Sequence, residues 1–411
     1  MDETIKIAVA GNVDSGKSTL AGVLLNKCLD DGRGYCRNLV ARNKHEIESG
    51  RTSTITLNTM VEIQEDKRKI ITFIDLAGHE KYLKTTMYGL TSLFADYGLV
   101  LVGANMGITK MTKEHLGILL YLKIPIIVLI TKTDICPENI YSRTERIVRK
   151  LLKVPIFNKR PYMFLRDEEK CMTELKEFMK LENPLDTFIP VIPISNKTGL
   201  NIENLKNYLL SLNPQKHWNT EIEGTIVYID ATYIVKGIGL IISGTVRGNP
   251  IKVNQKLWLG PIKNTYIPFK VRSLHNNIRE TVDEVTHSNI ACIAIKQLGK
   301  EQIFRSQITK GVLMFDDNNF KNSVSKQFRA EVLILHHSTT ITDNYQPVIH
   351  CGSIRQTAKI TIENNDTILR TGSKANVKFT FMYKTEYLEI GQTFFFRDGA
   401  TKGYGTIVEI L

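Results

Sequence analysis

No two of the six cysteines, at positions 28, 36, 136, 171, 292 and 351, stand at C-x-x-C spacing. That spacing excludes a zinc ribbon or a C-x-x-C redox pair and predicts free thiols in a reducing compartment. Long apolar runs are also missing. The longest, 124–130 with the flanking Leu119-Leu120, is interrupted by Lys123 and Pro125, far short of the ~20 residues that a membrane-spanning helix needs. The N-terminus, Met1-Asp2-Glu3-Thr4, is polar and acidic and runs straight into a strand, so neither a signal nor a transit peptide is expected. A cytoplasmic protein with no membrane partner is the expectation. Internal repeats and low-complexity segments are lacking as well.

Charge is not segregated into a tail. Residues 1–216 carry 31 basic and 25 acidic side chains and residues 217–411 carry 23 and 17, so each part holds +6 of the formal net charge of +12. An RNA partner fits a basic body, because each contacted phosphate releases counterions. A basic soluble protein without such a partner is the plain alternative. At 411 residues, 42% hydrophobic and 23% charged, the chain suits two or three ordered domains.

Strand-like and helix-like patterns alternate over the first 212 residues. Residues 5–10 form a short apolar strand. Beyond a glycine-rich loop, Leu20, Val23, Leu24, Lys27 and Cys28 recur at helical spacing and the pattern stops near Gly32. Further strands are expected at 70–76, 98–104, 124–131 and 188–195, with helices at 113–122, 138–152 and 202–212. This order implies a parallel sheet covered on both faces, with ligands at the carboxyl ends of its strands. The character changes at Asn213-Pro214-Gln215-Lys216. From Thr225 onward, short strands rich in Val, Ile, Tyr and Thr are divided by Gly, Asn and Asp, as in barrels or sandwiches. Examples are 239–243 before Gly244 and 379–383. No helix is expected there, and the polar stretch around 318–326 reads as a second break.

Four motifs carry chemistry. Gly11-Asn12-Val13-Asp14-Ser15-Gly16-Lys17-Ser18, with Thr19 after it, matches the phosphate-binding loop G-x-x-x-x-G-K-[ST]. Its backbone N–H groups face the phosphates, Lys17 reaches the β- and γ-phosphates, and the Ser18 hydroxyl suits Mg²⁺. Asp75-Leu76-Ala77-Gly78-His79 closes a strand. There a carboxylate can hold Mg²⁺ through water, Gly78 can offer its N–H to the γ-phosphate, and an imidazole can orient the attacking water. Thr131-Lys132-Thr133-Asp134 places a carboxylate where guanine N1–H and the N2 amino group can donate to it, a donor pair that adenine lacks. Lys132 would lie over the base. Ser195-Asn196-Lys197 would complete the pocket with a backbone N–H to guanine O6. Between the first two motifs, the polar segment 46–54 contains two threonines, Thr52 and Thr54, and a threonine here could add its hydroxyl to Mg²⁺ and its backbone N–H to the γ-phosphate, ordering the loop only with GTP.

With these motifs in view, the chain resembles the translational GTPases related to elongation factor Tu and eukaryotic elongation factor 1 alpha. The match is closer to the GTP-binding protein 1 and 2 branch. The phrases that carry it are Gly32-Arg33-Gly34, the segments 44–53 and 73–86, Met111-Thr112-Lys113-Glu114-His115-Leu116-Gly117, and 350–358. The resemblance implies an α/β P-loop GTPase domain at 1–216 followed by two all-β barrel domains, at 217–322 and 323–411. It implies GTP/GDP and Mg²⁺ as cofactors, and a monomer whose GTP form binds aminoacyl-tRNA or another RNA and acts on the ribosome. An exchange factor is a further partner of this class. His79 takes the water-orienting position, Thr52 the switch position, and Tyr82 and Lys84 the places that touch the 5′ end of tRNA. Two departures stand out. Thr131 replaces the usual Asn that ties the guanine loop back to the phosphate loop, which suggests a looser grip, and Arg51 stands where a gating apolar residue is usual. Two other readings stay open: a ribosome-rescue or RNA-surveillance GTPase with a protein partner, and a non-ribosomal regulatory subunit like the GTPase that serves sulfate activation.

Overall fold

Seven strands form the first sheet of the computed structural model, which describes every residue except 1, 42–45, 47–53, 65–66, 216–221, 263–264, 299–302, 310, 317–322, 363–367 and 400, and the side chains of Gln64 and Lys84. In chain order they are β1 (Glu3–Gly11), β2 (Thr56–Gln64), β3 (Lys67–Asp75), β4 (Tyr97–Gly103), β5 (Ile126–Thr131), β6 (Arg160–Met163) and β7 (Phe188–Pro193). Their order across the sheet is β2-β3-β1-β4-β5-β7-β6. β2 pairs antiparallel with β3 and the other neighbours are parallel. A parallel strand covered on both faces must be apolar throughout. β4 and β5 satisfy this, with every residue buried.

Helices cover the sheet: α1 (Lys17–Asn26), α2 (Tyr35–Val40), α3 (Leu83–Ser92), α4 (Lys110–Tyr121), α5 (Glu138–Leu152), α6 (Glu168–Lys180) and α7 (Ile202–Ser211). α5 buries Tyr141, Thr144, Val148 and Leu152, an apolar stripe at spacings of three and four. α4 starts at a capping box, where the side chains of Thr109 and Thr112 bond each other's backbone N–H.

One expectation about the first unit needs correction here. The first helix does not continue to Gly32. It ends at Asn26 because Lys27 turns left-handed, at φ 52°, so Lys27 and Cys28 lie beyond its periodic face. All six cysteines are free thiols, with Cys28 Sγ 3.5 Å from Cys36 Sγ.

The second compact unit comprises residues 219–411 with 91–94, and the first comprises 1–90 with 95–218. Six strands of the second unit close one barrel: β8 (Thr225–Val235), β9 (Gly239–Gly248), β10 (Lys256–Ile262), β11 (Thr265–His275), β12 (Ile290–Gln297) and β13 (Leu313–Phe315). They run β10-β13-β8-β9-β12-β11, and β11 pairs back with β10. Six more close another: β14 (Gln327–His336), β15 (Val348–Cys351), β16 (Ile354–Ile362), β17 (Lys374–Phe381), β18 (Thr393–Asp398) and β19 (Thr401–Ile410). Their order is β14-β17-β16-β15-β18-β19, closed by the β14–β19 pairing. Phe328, Phe379 and Phe394 meet inside it with ring centroids 5.1–5.5 Å apart. The described residues beyond 224 include one short 3-10 turn, Arg305–Gln307, and no α-helix.

Gly244 is not the end of a strand, as its residue type suggests. β9 runs through it. A Cβ at Gly244 would lie 2.5 Å from the Tyr228 carbonyl oxygen, so the glycine permits close backbone approach beside a bulge in β8. Likewise β17 stops at Phe381, leaving Met382 and Tyr383 outside it.

Candidate nucleotide-binding site

The carboxyl ends of β1, β3, β5 and β7 each run into one of the four motifs, which brings together residues far apart in sequence. A cavity of about 330 Å³ opens there. Val13, Asp14, Gly16, Lys17, Ser18, Thr19, Gly78, His79, Lys132, Asp134, Asn196 and Lys197 all line it. Gly11, Asn12 and Ser15 belong to the same loop, while Asp75, Thr131 and Ser195 are buried beside the cavity wall. Thr52 and Arg51 fall outside the described residues, as does the side chain of Lys84 on α3. Tyr82 lies in the 3-10 turn Glu80–Tyr82, edge-on to His79 with centroids 6.1 Å apart.

Glycine at 16 is required by the loop's own geometry, because φ is 90° where α1 begins. Lys17 then sits at the centre of the loop, its Nζ donating to the carbonyl oxygens of Asn12 at 2.7 Å and Gly11 at 3.2 Å. Burial lowers its pKa, against the pull of Asp75 and Asp14. Gly78 packs so tightly that a Cβ there would lie 2.5 Å from Lys17 Nζ and 2.7 Å from the Asn12 carbonyl carbon. Any side chain at 78 would therefore fill the cradle.

Ser18 Oγ donates to Asp75 Oδ2 at 2.5 Å. Asp75 Oδ1 is buried without a hydrogen-bond partner. Burial pushes this carboxyl up to about 6, opposed by the Lys17 ammonium and the Ser18 hydroxyl. A hydroxyl and a carboxylate oxygen lacking a partner, both hard donors facing a phosphate loop, fit Mg²⁺, which prefers oxygen ligands and keeps several waters.

At the other end of the cavity, Ser195 Oγ donates to Asp134 Oδ1 at 2.7 Å and accepts from the backbone N–H groups of Lys197 and Thr198. This fixes one carboxylate oxygen and leaves Oδ2 for a donor pair on a base. Lys132 adopts φ 60°, a left-handed turn at the strand end. Thr131 does bridge the two loops. Its hydroxyl donates to the Ser15 carbonyl oxygen at 2.8 Å, so the tie expected to be lost is present in another chemical form. Asn196 Nδ2 adds a longer contact of 3.5 Å to the Gly16 oxygen. His79 is half-buried, and its Nδ1 accepts from the Lys81 N–H at 3.1 Å, leaving Nε2 as the ring nitrogen for water.

Two features were not read as part of the site. His115, on α4, is fully buried and its Nδ1 accepts from the Gly11 N–H at 3.1 Å. Burial, with the nearby Lys17 cation, pulls its pKa down to about 3, so it stays neutral as an acceptor. Asp30, Gly32, Arg33, Gly34 and Arg37 also line the cavity. The available signal was Gly32-Arg33-Gly34, an arginine bracketed by glycines, both of which are left-handed, at φ 81° and 94°.

Residues 2–215 match the elongation factor Tu GTP binding domain, and residues 321–411 match the elongation factor Tu C-terminal domain. The chain is 42% identical to GTP-binding protein 1 of Xenopus laevis, over 99% of this chain and 63% of that protein. It is 35% identical to GTP-binding protein 2 of Mus musculus, over 99% of this chain and 69% of that protein. The chain thus spans about two thirds of the length of these curated relatives. Among solved structures, translation elongation factor SelB from Methanococcus maripaludis, in complex with the GTP analogue GppNHp, superposes with a TM-score of 0.71. It covers 100% of this chain and 80% of its own, at 22% identity, which speaks for the fold alone. With the GTP-binding domain matched over more than half of its length, the chain belongs to the translational GTPases of the elongation factor Tu type.

Proposed function

We propose that this protein binds GTP with Mg²⁺, hydrolyses it to GDP and phosphate, and uses the change as a conformational switch while acting on the ribosome with aminoacyl-tRNA or a related RNA. The observation that carries this reading is the convergence of four motifs on one cavity, phosphate loop at one end and Ser195-held Asp134 at the other. In the proposed assignment, Gly11 to Thr19 cradle the phosphates and Gly78 approaches the terminal one. Thr131, Lys132, Asp134, Ser195, Asn196 and Lys197 shape the guanine end. Ser18, Asp75 and Thr52 would hold Mg²⁺, which neutralises charge on the β- and γ-phosphates when bound.

Hydrolysis asks little covalent chemistry of the protein and much positioning. Lys17 brings a buried cation to the phosphates. His79, held through Nδ1, presents Nε2 to the attacking water. Tyr82 and Lys84 would meet the RNA. The proposed domains run 1–216, 217–322 and 323–411, a division supported by the compact unit that ends at Trp218 and the C-terminal match that starts at 321. A cytoplasmic monomer, assisted by an exchange factor, completes the reading. Among the described residues no helix is long and apolar enough to cross a membrane. The two domain models that match this chain are those of elongation factor Tu, which supports a role in translation.

Ribosome co-sedimentation in GppNHp and in GDP, with GTP turnover measured on wild type and His79→Ala, tests this reading. Expected are pelleting that depends on the GTP analogue and ribosome-stimulated turnover that drops by roughly 10²-fold or more in the variant. Equal pelleting in both nucleotides, or stimulation untouched by His79→Ala, contradicts it.

A further inference from the structure

Between α1 and α2 the chain makes a short loop that its own acidic side chains hold in place. Asp30 accepts from the N–H groups of Gly32 at 2.9 Å and Cys36 at 3.0 Å. Asp31 accepts from those of Arg33 at 2.7 Å and Tyr35 at 3.1 Å. The Asp30 N–H donates to the Asn196 carbonyl oxygen at 2.9 Å, anchoring the loop on the guanine-end motif. A loop fixed this way sets the start of α2, and with it the direction of Arg37.

Arg37 lines the same cavity as Lys17, Ser18 and Asp134. Its Nε is buried and has no hydrogen-bond partner, and among the described residues its guanidinium forms no ion pair. Gly34 leaves it room, since a Cβ at 34 would lie 3.0 Å from Arg37 Nη2. Asp30 and Asp31, the nearest acidic residues in sequence, spend carboxylate oxygens on backbone N–H groups. A buried guanidinium N–H is normally satisfied, by protein or by water. A planar fork of donors in a cavity edged by a phosphate loop matches phosphate oxygens better than any neutral ligand.

We propose that Arg37 is a nucleotide-contacting residue, supplying a guanidinium from α2 to the phosphate oxygens of the bound guanine nucleotide. This rests on the reading of the cavity as a guanine-nucleotide site. It adds a cation that lies outside all four motifs, and it makes the segment 30–37 part of the phosphate grip.

Calorimetric titration of guanosine, GDP and GppNHp into wild type, Arg37→Met and Arg37→Lys tests the assignment. Met keeps the apolar stem, and melting temperatures without nucleotide report whether each variant is folded. The expected result is a roughly ten- to hundred-fold weaker affinity of Arg37→Met for GDP or GppNHp, with guanosine affinity unchanged, as suits the loss of a charge-assisted bond. Arg37→Lys should recover part of the loss. Affinities of Arg37→Met within twofold of wild type for both phosphorylated ligands overturn the proposal, as does an equal loss for guanosine. If wild type binds no GDP at all, the nucleotide reading falls with it; if wild type binds and only the variant comparison is flat, this inference alone falls.

Discussion

A threonine hydroxyl at 131 makes the tie between loops that the resemblance led one to expect from a carboxamide. The hydroxyl is fully buried and lies 2.8 Å from the Ser15 carbonyl oxygen, so the guanine loop and the phosphate loop are joined by a single short bond. Removing its donor while keeping its shape should leave that carbonyl unpaired. Thr131→Val is therefore expected to weaken GDP binding by about 1–2 kcal/mol, some five- to thirtyfold, measured by displacement of a fluorescent GDP analogue. Unchanged affinity would mean that the bond does not support the pocket. The motif residues were legible at this scale because each follows a strand at a fixed short spacing. Arg37 and His115 were not, for a physical reason. His115 meets Gly11 across 104 positions, and only the sheet brings them together. The tie made by Thr131 was likewise hidden, since the residue type alone suggested its loss.

At the scale of elements, the helices and strands of the first unit were legible where burial imposes a period. The helix expected at 138–152 is α5 to the residue. Strands β2 and β6 and helices α2, α3 and α6 were missed. β2 reads as a mixed polar and apolar edge, and β6 is only four residues long. In the second unit, the strand pattern was clear but the pairing that closes each barrel was not, because pairing joins segments across long loops.

One short strand there, Glu386–Tyr387, carries a fully buried carboxylate. Glu386 Oε1 accepts from Gln356 Nε2 at 2.8 Å and lies 3.4 Å from Lys384 Nζ. Burial outweighs both and pushes the carboxyl up from 4.5 to about 7. A pKa raised by folding means the native state keeps its proton longer than the unfolded chain. The stability it contributes is complete below pH 4.5 and is lost as pH rises through about 7. Glu386→Gln should therefore unfold at higher urea than wild type at pH 8, by up to roughly 3 kcal/mol, and show a smaller difference between pH 5 and pH 8. An undiminished pH dependence would show that another group is responsible.

For the whole molecule, charge is balanced between the parts before and after residue 217, and each is basic. A polyanion could therefore be met along much of the chain and not at one tail, in keeping with an RNA or ribosomal partner. What makes the molecule a switch, on this account, is one cavity able to tell GTP from GDP and guanine from adenine. Its phosphate end is common to many nucleotide-binding proteins. On the proposed reading its guanine end depends on Asp134, whose Oδ1 is held by Ser195 and whose Oδ2 would accept from the N1–H and N2 donors of guanine.

The most direct test is isothermal calorimetry of GDP and ADP on the full chain with Mg²⁺. The account predicts GDP binding tighter than ADP by about 10⁴-fold, as for sites that reject a ligand lacking their hydrogen-bonding groups. Equal affinity for the two, or no affinity for GDP, would contradict it.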